Sequence, residues 1–186
     1  MGMGEPLLNF TKVEKAVGIL SSSIGLGISQ RHVTVSTAGL VDKMAYLLKS
    51  PWKVKLAVSL NFPDEEMRRE MMPVANNNPL KDILKIAREY SIKKSMVTFE
   101  IVIIDKLNDR LQDARLLVKL LRNIPSKINL IPFNEHPSLP YKSPDEAKVQ
   151  MIKKFLMDSP HAVTLRKSRG SEILAGCGQL AAEVRK

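Results

Sequence analysis

Residues 96–105 read MVTFEIVIID. The run is apolar and rich in β-branched residues, and it closes on an acid. That composition predicts a strand buried within a sheet rather than one washed by water along one side. Four further β-rich runs lie around it: HVTVSTA (32–38), KLAVSLN (55–61), INLIPFN (128–134) and AVTLR (162–166). Segments with helical spacing separate the first four. Val13, Ala16, Val17 and Leu20 form one apolar face; Leu80, Ile83, Leu84, Ala87 and Tyr90 form a second; Ala114, Leu117, Val118 and Leu121 form a third. SPDEAKVQMIKKFL (143–156) predicts a further helix, with Ser143 as N-cap, Pro144 at the first helical position and Glu146 closing a capping box. Mostly apolar strands alternating with helices predict a parallel α/β fold. The loop PVANNNP (73–79) is too short for a domain linker, so residues 1–186 are expected to form a single domain.

Composition narrows the function. Lys plus Arg number 29 and Asp plus Glu 19, a net charge of +10 that favours polyanions, nucleic acid above all. Five Phe, three Tyr and one Trp are too few for a platform of stacked bases. No run of about 18 uncharged apolar residues suggests a membrane span. MGMGEPLLNF (1–10) lacks the basic and apolar regions of a secretory signal. A single cysteine, Cys177, forms no internal disulfide, and a cytoplasmic location is the expectation.

Parallel strands place functional groups at their carboxyl ends. Here those ends carry Ser36 and Thr37, Ser59 and Asn61, Asp105, and Asn134, all small and polar after an apolar run. Together they predict a ligand rim. No P-loop, dinucleotide fingerprint, zinc-protease motif or nucleophile elbow is present. One cysteine and the scattered His32, His136 and His161 build no zinc site of recognised spacing. What remains is Gly4–Glu5, exposed backbone beside a carboxylate suited to an ammonium group, and Cys177 between Gly176 and Gly178. The thiol reads either as an inert small residue or as a reactive group in a mobile loop. MGMGEP leads into a helix with no strand before it, so the chain is expected to start partway through a strand–helix unit.

MGMGEPLLN, GLGISQRHVTVSTAGLV, LAVSLN, NLIPFN, RKSRG and CGQLA follow one another in order and at suitable spacing. The ordered set resembles the radical S-adenosylmethionine methyltransferases that methylate C2 of an adenosine in 23S rRNA and of one in tRNA. The resemblance implies the later part of a partial (β/α)6 barrel, with the N-terminal strands and the cluster loop missing. It implies that Gly4 and Glu5 bind the methionine amino group of S-adenosylmethionine. It assigns further cofactor contacts to Ser36, to Ser59, Leu60 and Asn61, and to Asn134 near the nucleoside. Asn61 stands where the family commonly has histidine. Cys177 matches the cysteine that accepts a methyl group from one S-adenosylmethionine. In the family a second molecule yields a 5′-deoxyadenosyl radical, and the resulting S-methylene radical adds to the adenine. Arg166, Lys167 and Arg169, in the stretch RKSRG, are the expected phosphate contacts.

The same resemblance implies a 4Fe–4S cluster held by C-x-x-x-C-x-x-C, and an electron donor such as flavodoxin. Neither the cluster motif nor a second cysteine occurs here, so no metal ligands are assigned and this chain alone is expected to be inactive. Two other readings stay open: the sister group that methylates C8 of the same rRNA adenosine, and a non-catalytic basic RNA-binding remnant.

Overall fold

The computed structural model describes residues 4–166. Lys167, Arg169 and Cys177 lie outside the described residues. Five parallel strands form one sheet: β1 (Thr34–Thr37), β2 (Lys55–Ser59), β3 (Val97–Ile103), β4 (Ser126–Pro132) and β5 (Ala162–Leu165). They pair in chain order, β1-β2-β3-β4-β5. A doubly wound sheet reverses its strand order and opens a crevice at the reversal. This sheet winds in one direction only, as a sector of a (β/α) barrel does, an architecture in which ligands bind along the row of carboxyl ends.

Six α-helices accompany the strands: α1 (Phe10–Ser21), α2 (Val41–Lys49), α3 (Glu65–Met71), α4 (Leu80–Lys93), α5 (Leu111–Leu121) and α6 (Glu146–Met157). The core joins them to one face of the sheet. Val35, Leu56, Val58, Val97, Phe99, Ile101, Ile103, Ile128 and Leu130 are all buried in it. Their neighbours in sequence turn to the other face. There Thr34, Lys55, Lys127 and Thr164 are exposed, and Ser36, Ser59, Thr98 and Asn129 are half-buried. So β3 is not apolar on both sides, as its composition suggests. Thr98 and Glu100 belong to an open, polar face that the surrounding β-branched residues hide in the sequence.

The expected helical faces of α4 and α5 pack as read: Leu80, Ile83, Ala87 and Tyr90 are buried, and so are Ala114, Leu117 and Leu121. Tyr90 donates its hydroxyl to the Val54 carbonyl at 2.8 Å, and burial pushes its pKa up to about 12. In α1 only Val17 is buried and Ala16 is exposed. That helix is held instead by Phe10, whose ring stacks on Trp52 at 4.8 Å and meets Tyr46 edge-on at 4.6 Å.

Helix α6 starts later than its sequence predicts. Asp145 caps it, accepting the Ala147 amide at 2.8 Å. Ser143 is engaged elsewhere: its hydroxyl donates to the Phe133 carbonyl at 2.6 Å and its amide to Glu135 Oε1 at 3.1 Å. The loop at 73–79 has a structural task. Buried Asn78 accepts the Val41 amide at 2.8 Å, fixing the start of α2, and donates to the Val74 carbonyl at 2.8 Å.

Candidate functional site

The turn after β1 is held from two sides. Glu5 accepts the Ala38 amide on Oε2 at 2.7 Å and the Leu7 amide on Oε1 at 3.1 Å. Arg68, fully buried on α3, donates from Nη2 to the Ala38 carbonyl and from Nη1 to the Asn78 carbonyl, both at 3.0 Å. Burial pushes the Arg68 guanidinium below its ordinary pKa, and Glu65 opposes the shift. Gly39 follows with φ +97°, and a Cβ there would come within 2.7 Å of Ile83 Cδ1. Only glycine fits both the conformation and the space. Thr37 is buried and accepts the Gly39 amide at 3.1 Å, so it serves the turn rather than the rim. Gly4 has φ +110°, a second position where glycine is required.

Ser36 and Ser59 meet at a residue that the strand-end pattern does not single out. Glu100 of β3 has Oε2 at 3.5 Å from both hydroxyls, the outer limit of hydrogen-bond reach. It is only 6% exposed, although it lies on the open face. Register explains the meeting: Ser59 pairs with Glu100 across β2 and β3, and Ser36 pairs with Ala57 one step away. Asn129 is Glu100's partner on β4, and Thr164 donates to Asn129 Oδ1 at 2.9 Å. A polar row thus crosses the open face from β1 to β5. A single acid within an apolar strand is its one sequence signal.

The next two expected contacts turn inward. The Leu60 side chain is fully buried in the helix-side core, and its amide bonds to the Glu100 and Val58 carbonyls at 3.0 and 2.9 Å. Asn61 has φ 58°, accepts the Val102 amide on Oδ1 at 3.2 Å and gives its carbonyl to Asn108 Nδ2 at 3.0 Å. Asn tolerates this left-handed conformation better than most residues. Asn61 and buried Asn108 therefore knit β2 to the end of β3; Asn108 also donates to the Val102 carbonyl at 2.7 Å.

Asn134 is half-buried two residues beyond β4, on the rim side. Asp105 pairs with Lys148 at 3.3 Å, and the same ammonium lies 2.6 Å from Asp109. Burial works to raise the Asp109 pKa, but Lys148 and the Lys106 amide outweigh it and hold the carboxyl below its usual range. Arg166 is exposed, and its amide donates to the Leu130 carbonyl at 2.8 Å, extending β5 along β4.

Glu5 uses two of its carboxylate acceptor sites on backbone amides, which leaves capacity for an ammonium donor. The donor set therefore fits the amino group of S-adenosylmethionine. A 4Fe–4S cluster does not fit: the chain has one cysteine, and no group of metal-ligating side chains occurs among the described residues. No helix among the described residues is long and apolar enough to cross a membrane.

A family profile described as the Radical SAM superfamily matches residues 1–118. The chain is 43% identical over 188 residues to the dual-specificity RNA methyltransferase RlmN of Francisella tularensis subsp. tularensis (strain FSC 198), covering 99% of this chain and 50% of the relative. It is 46% identical over 181 residues to the protein of the same name from Geotalea uraniireducens, covering 97% and 52%. A radical SAM methyltransferase from Sphaerobacter thermophilus superposes with a TM-score of 0.91 at 37% identity, over 96% of this chain and 53% of that one. A domain of a pyruvate-formate lyase-activating enzyme from Bacteroides vulgatus shares the fold, with a TM-score of 0.66 at 22% identity. The chain spans about half the length of the curated relatives it matches.

Proposed function

Because the chain belongs to the Radical SAM superfamily, we propose that it provides the S-adenosylmethionine-binding and methyl-accepting half of an RNA methyltransferase acting on C2 of adenine. Its substrates are 23S rRNA and tRNA. A flavodoxin-type protein is the electron donor, and the cytoplasm is the location. The observation that carries this reading is Glu5 fixed to the turn after β1, beside a row in which Ser36 and Ser59 converge on Glu100. The likeness to the RlmN relatives supports it.

Each residue has a task. Gly4 and Glu5 hold the methionine ammonium, with Glu5 already oriented by two backbone amides. Ser36, Ser59 and Asn134 contact the remainder of the cofactor and the nucleoside. Leu60 and Asn61 shape the cofactor segment, since their side chains and amides are spent on the core and on β3. Arg166, Lys167 and Arg169 meet RNA phosphates. S-adenosylmethionine supplies an electrophilic methyl group when bound. The Cys177 thiolate attacks that carbon; the new S–C bond forms as the sulfonium bond breaks, and its electron pair stays on the departing thioether. The chain's one cysteine supplies no ligand set for an iron–sulfur cluster.

The test uses a restored enzyme in which the upstream half of an RlmN relative is fused to this chain. With methyl-labelled cofactor, label is expected on the peptide containing Cys177 before it reaches RNA. Cys177→Ala is expected to abolish both transfers, and mass spectrometry of the product nucleoside should show 2-methyladenosine. An alanine variant that still methylates RNA, or product carrying the methyl at C8, overturns the reading.

A further inference from the structure

The outer, helix-bearing side of the molecule carries charge that no ion pair among the described residues neutralises. On α4, Lys81, Lys85 and Arg88 are exposed and fall on one stripe of the helix. A helical rise of 1.5 Å per residue sets them roughly 5–6 Å apart. They border an open groove between α4 and the end of α5, whose apolar lining comes from Leu84, Ile92, Leu120 and buried Ile124. The acid at this groove, Glu89, is already paired with Lys93 at 3.1 Å. Helix α5 repeats the pattern with exposed Arg115 and Lys119, and with Arg122 at its C-cap. None of these six cations is ion-paired among the described residues.

We infer that the α4–α5 face is a docking surface for the sugar–phosphate backbone of RNA, separate from the strand-end rim. The α4 cations repeat on the scale of successive phosphates and line one groove, and a second row lies on the next helix in the chain, α5. Charge complementarity decides the class of partner. Lysine is depleted at protein–protein interface cores, whereas rows of Lys and Arg that release counterions are the signature of nucleic-acid contact. The apolar lining accepts ribose edges. Such contacts fix register and add affinity but read no sequence. The surface grips RNA that flanks the reacting base, on the side of the sheet opposite the polar row. The inference rests on the proposed function only in taking RNA as the substrate.

The test is equilibrium binding of this chain to a short fluorescent RNA stem-loop across a salt series. It requires no methyl transfer, so failure of the Cys177 labelling experiment and failure here are distinguishable. The triple variant Lys81→Gln/Lys85→Gln/Arg88→Gln is expected to bind at least tenfold more weakly at low salt. Its log–log salt slope should fall by about 1 per charge removed, or about 3 in all. Arg166→Gln serves as the rim reference, with a loss of about 1. Circular dichroism checks the fold; should the triple variant unfold, each single variant is expected to lower the slope by about 1. An unchanged slope in the folded triple variant or in the single variants overturns the inference. So does affinity for poly-glutamate that equals the affinity for RNA.

Discussion

The Glu5 carboxylate accepts the Ala38 amide at 2.7 Å, joining segments 33 residues apart. Arg68 takes the carbonyl of the same residue at 3.0 Å. The turn after β1 is therefore set by one acid and one base that do not touch each other. Its geometry is fixed before any ligand arrives.

Removing Arg68 should be felt throughout the fold. Arg68→Met leaves the Ala38 and Asn78 carbonyls without their buried donor, a loss of about 2–3 kcal/mol by urea unfolding. Arg68→Lys, which lacks the forked donors, should fall between the two. A methionine variant as stable as the parent would show that the carbonyls find other donors.

Glu5 has two tasks, and two substitutions separate them. Glu5→Gln keeps an oxygen acceptor for the Ala38 amide but loses the charge; Glu5→Ala loses both. In the restored enzyme both variants should bind S-adenosylmethionine at least tenfold more weakly. The alanine variant should also melt earliest, because glutamine gives up only the Leu7 acceptor. Unchanged cofactor affinity in the glutamine variant would confine Glu5 to the turn.

His161 predicts an acid sensitivity. It is buried, and its Nδ1 lies 3.1 Å from Ser126 Oγ, which donates to the Ile124 carbonyl at 2.9 Å. Burial lowers its pKa from the ordinary 6.5, and a hydrogen bond to the Ser126 backbone opposes the shift. The unfolded chain therefore takes up this proton first. The stabilisation is complete above about pH 6.5 and fades as pH falls through the lower folded value. Melting temperatures from pH 7.5 to 5 should decline more steeply for the parent than for His161→Asn. Parallel curves would remove His161 from the cause.

Anaerobic reconstitution of this chain with iron and sulfide should leave it without stoichiometric iron or the visible charge-transfer absorption of a 4Fe–4S cluster. Its one cysteine cannot supply the several thiolates required. One stable cluster per chain would refute the ligand assignment.

The strands were legible because β-branched runs leave few other options, and each predicted run contains or overlaps its observed strand. Ser36 and Ser59 were legible as strand-end residues for the same reason: each stands near the carboxyl end of such a run. Glu100 was not, because its hydroxyl partners lie 64 and 41 residues away and only register brings them together. Asn61 reads like a ligand residue but folds inward, its left-handed backbone turning the amide onto β3. Ser143 has the letters of a cap, yet the loop after β4 claims its hydroxyl and amide first. Local composition carries no trace of such competition.

The one-sided cover of the sheet sets an arithmetic rule for mutation. Along β3 the odd-numbered residues Val97, Phe99, Ile101 and Ile103 belong to the folding core, whereas Thr98 and Glu100 lie on the opposite, polar face. Register reverses the parity on β2, where Ala57 and Ser59 share the polar face with Ser36 of β1. Tolerance to substitution should therefore alternate residue by residue along each strand. Fitness scored by abundance and fitness scored by methylation in the restored enzyme of the proposed function should oscillate out of phase. Two selections on one library would then separate what this sheet needs in order to exist from what it needs in order to act.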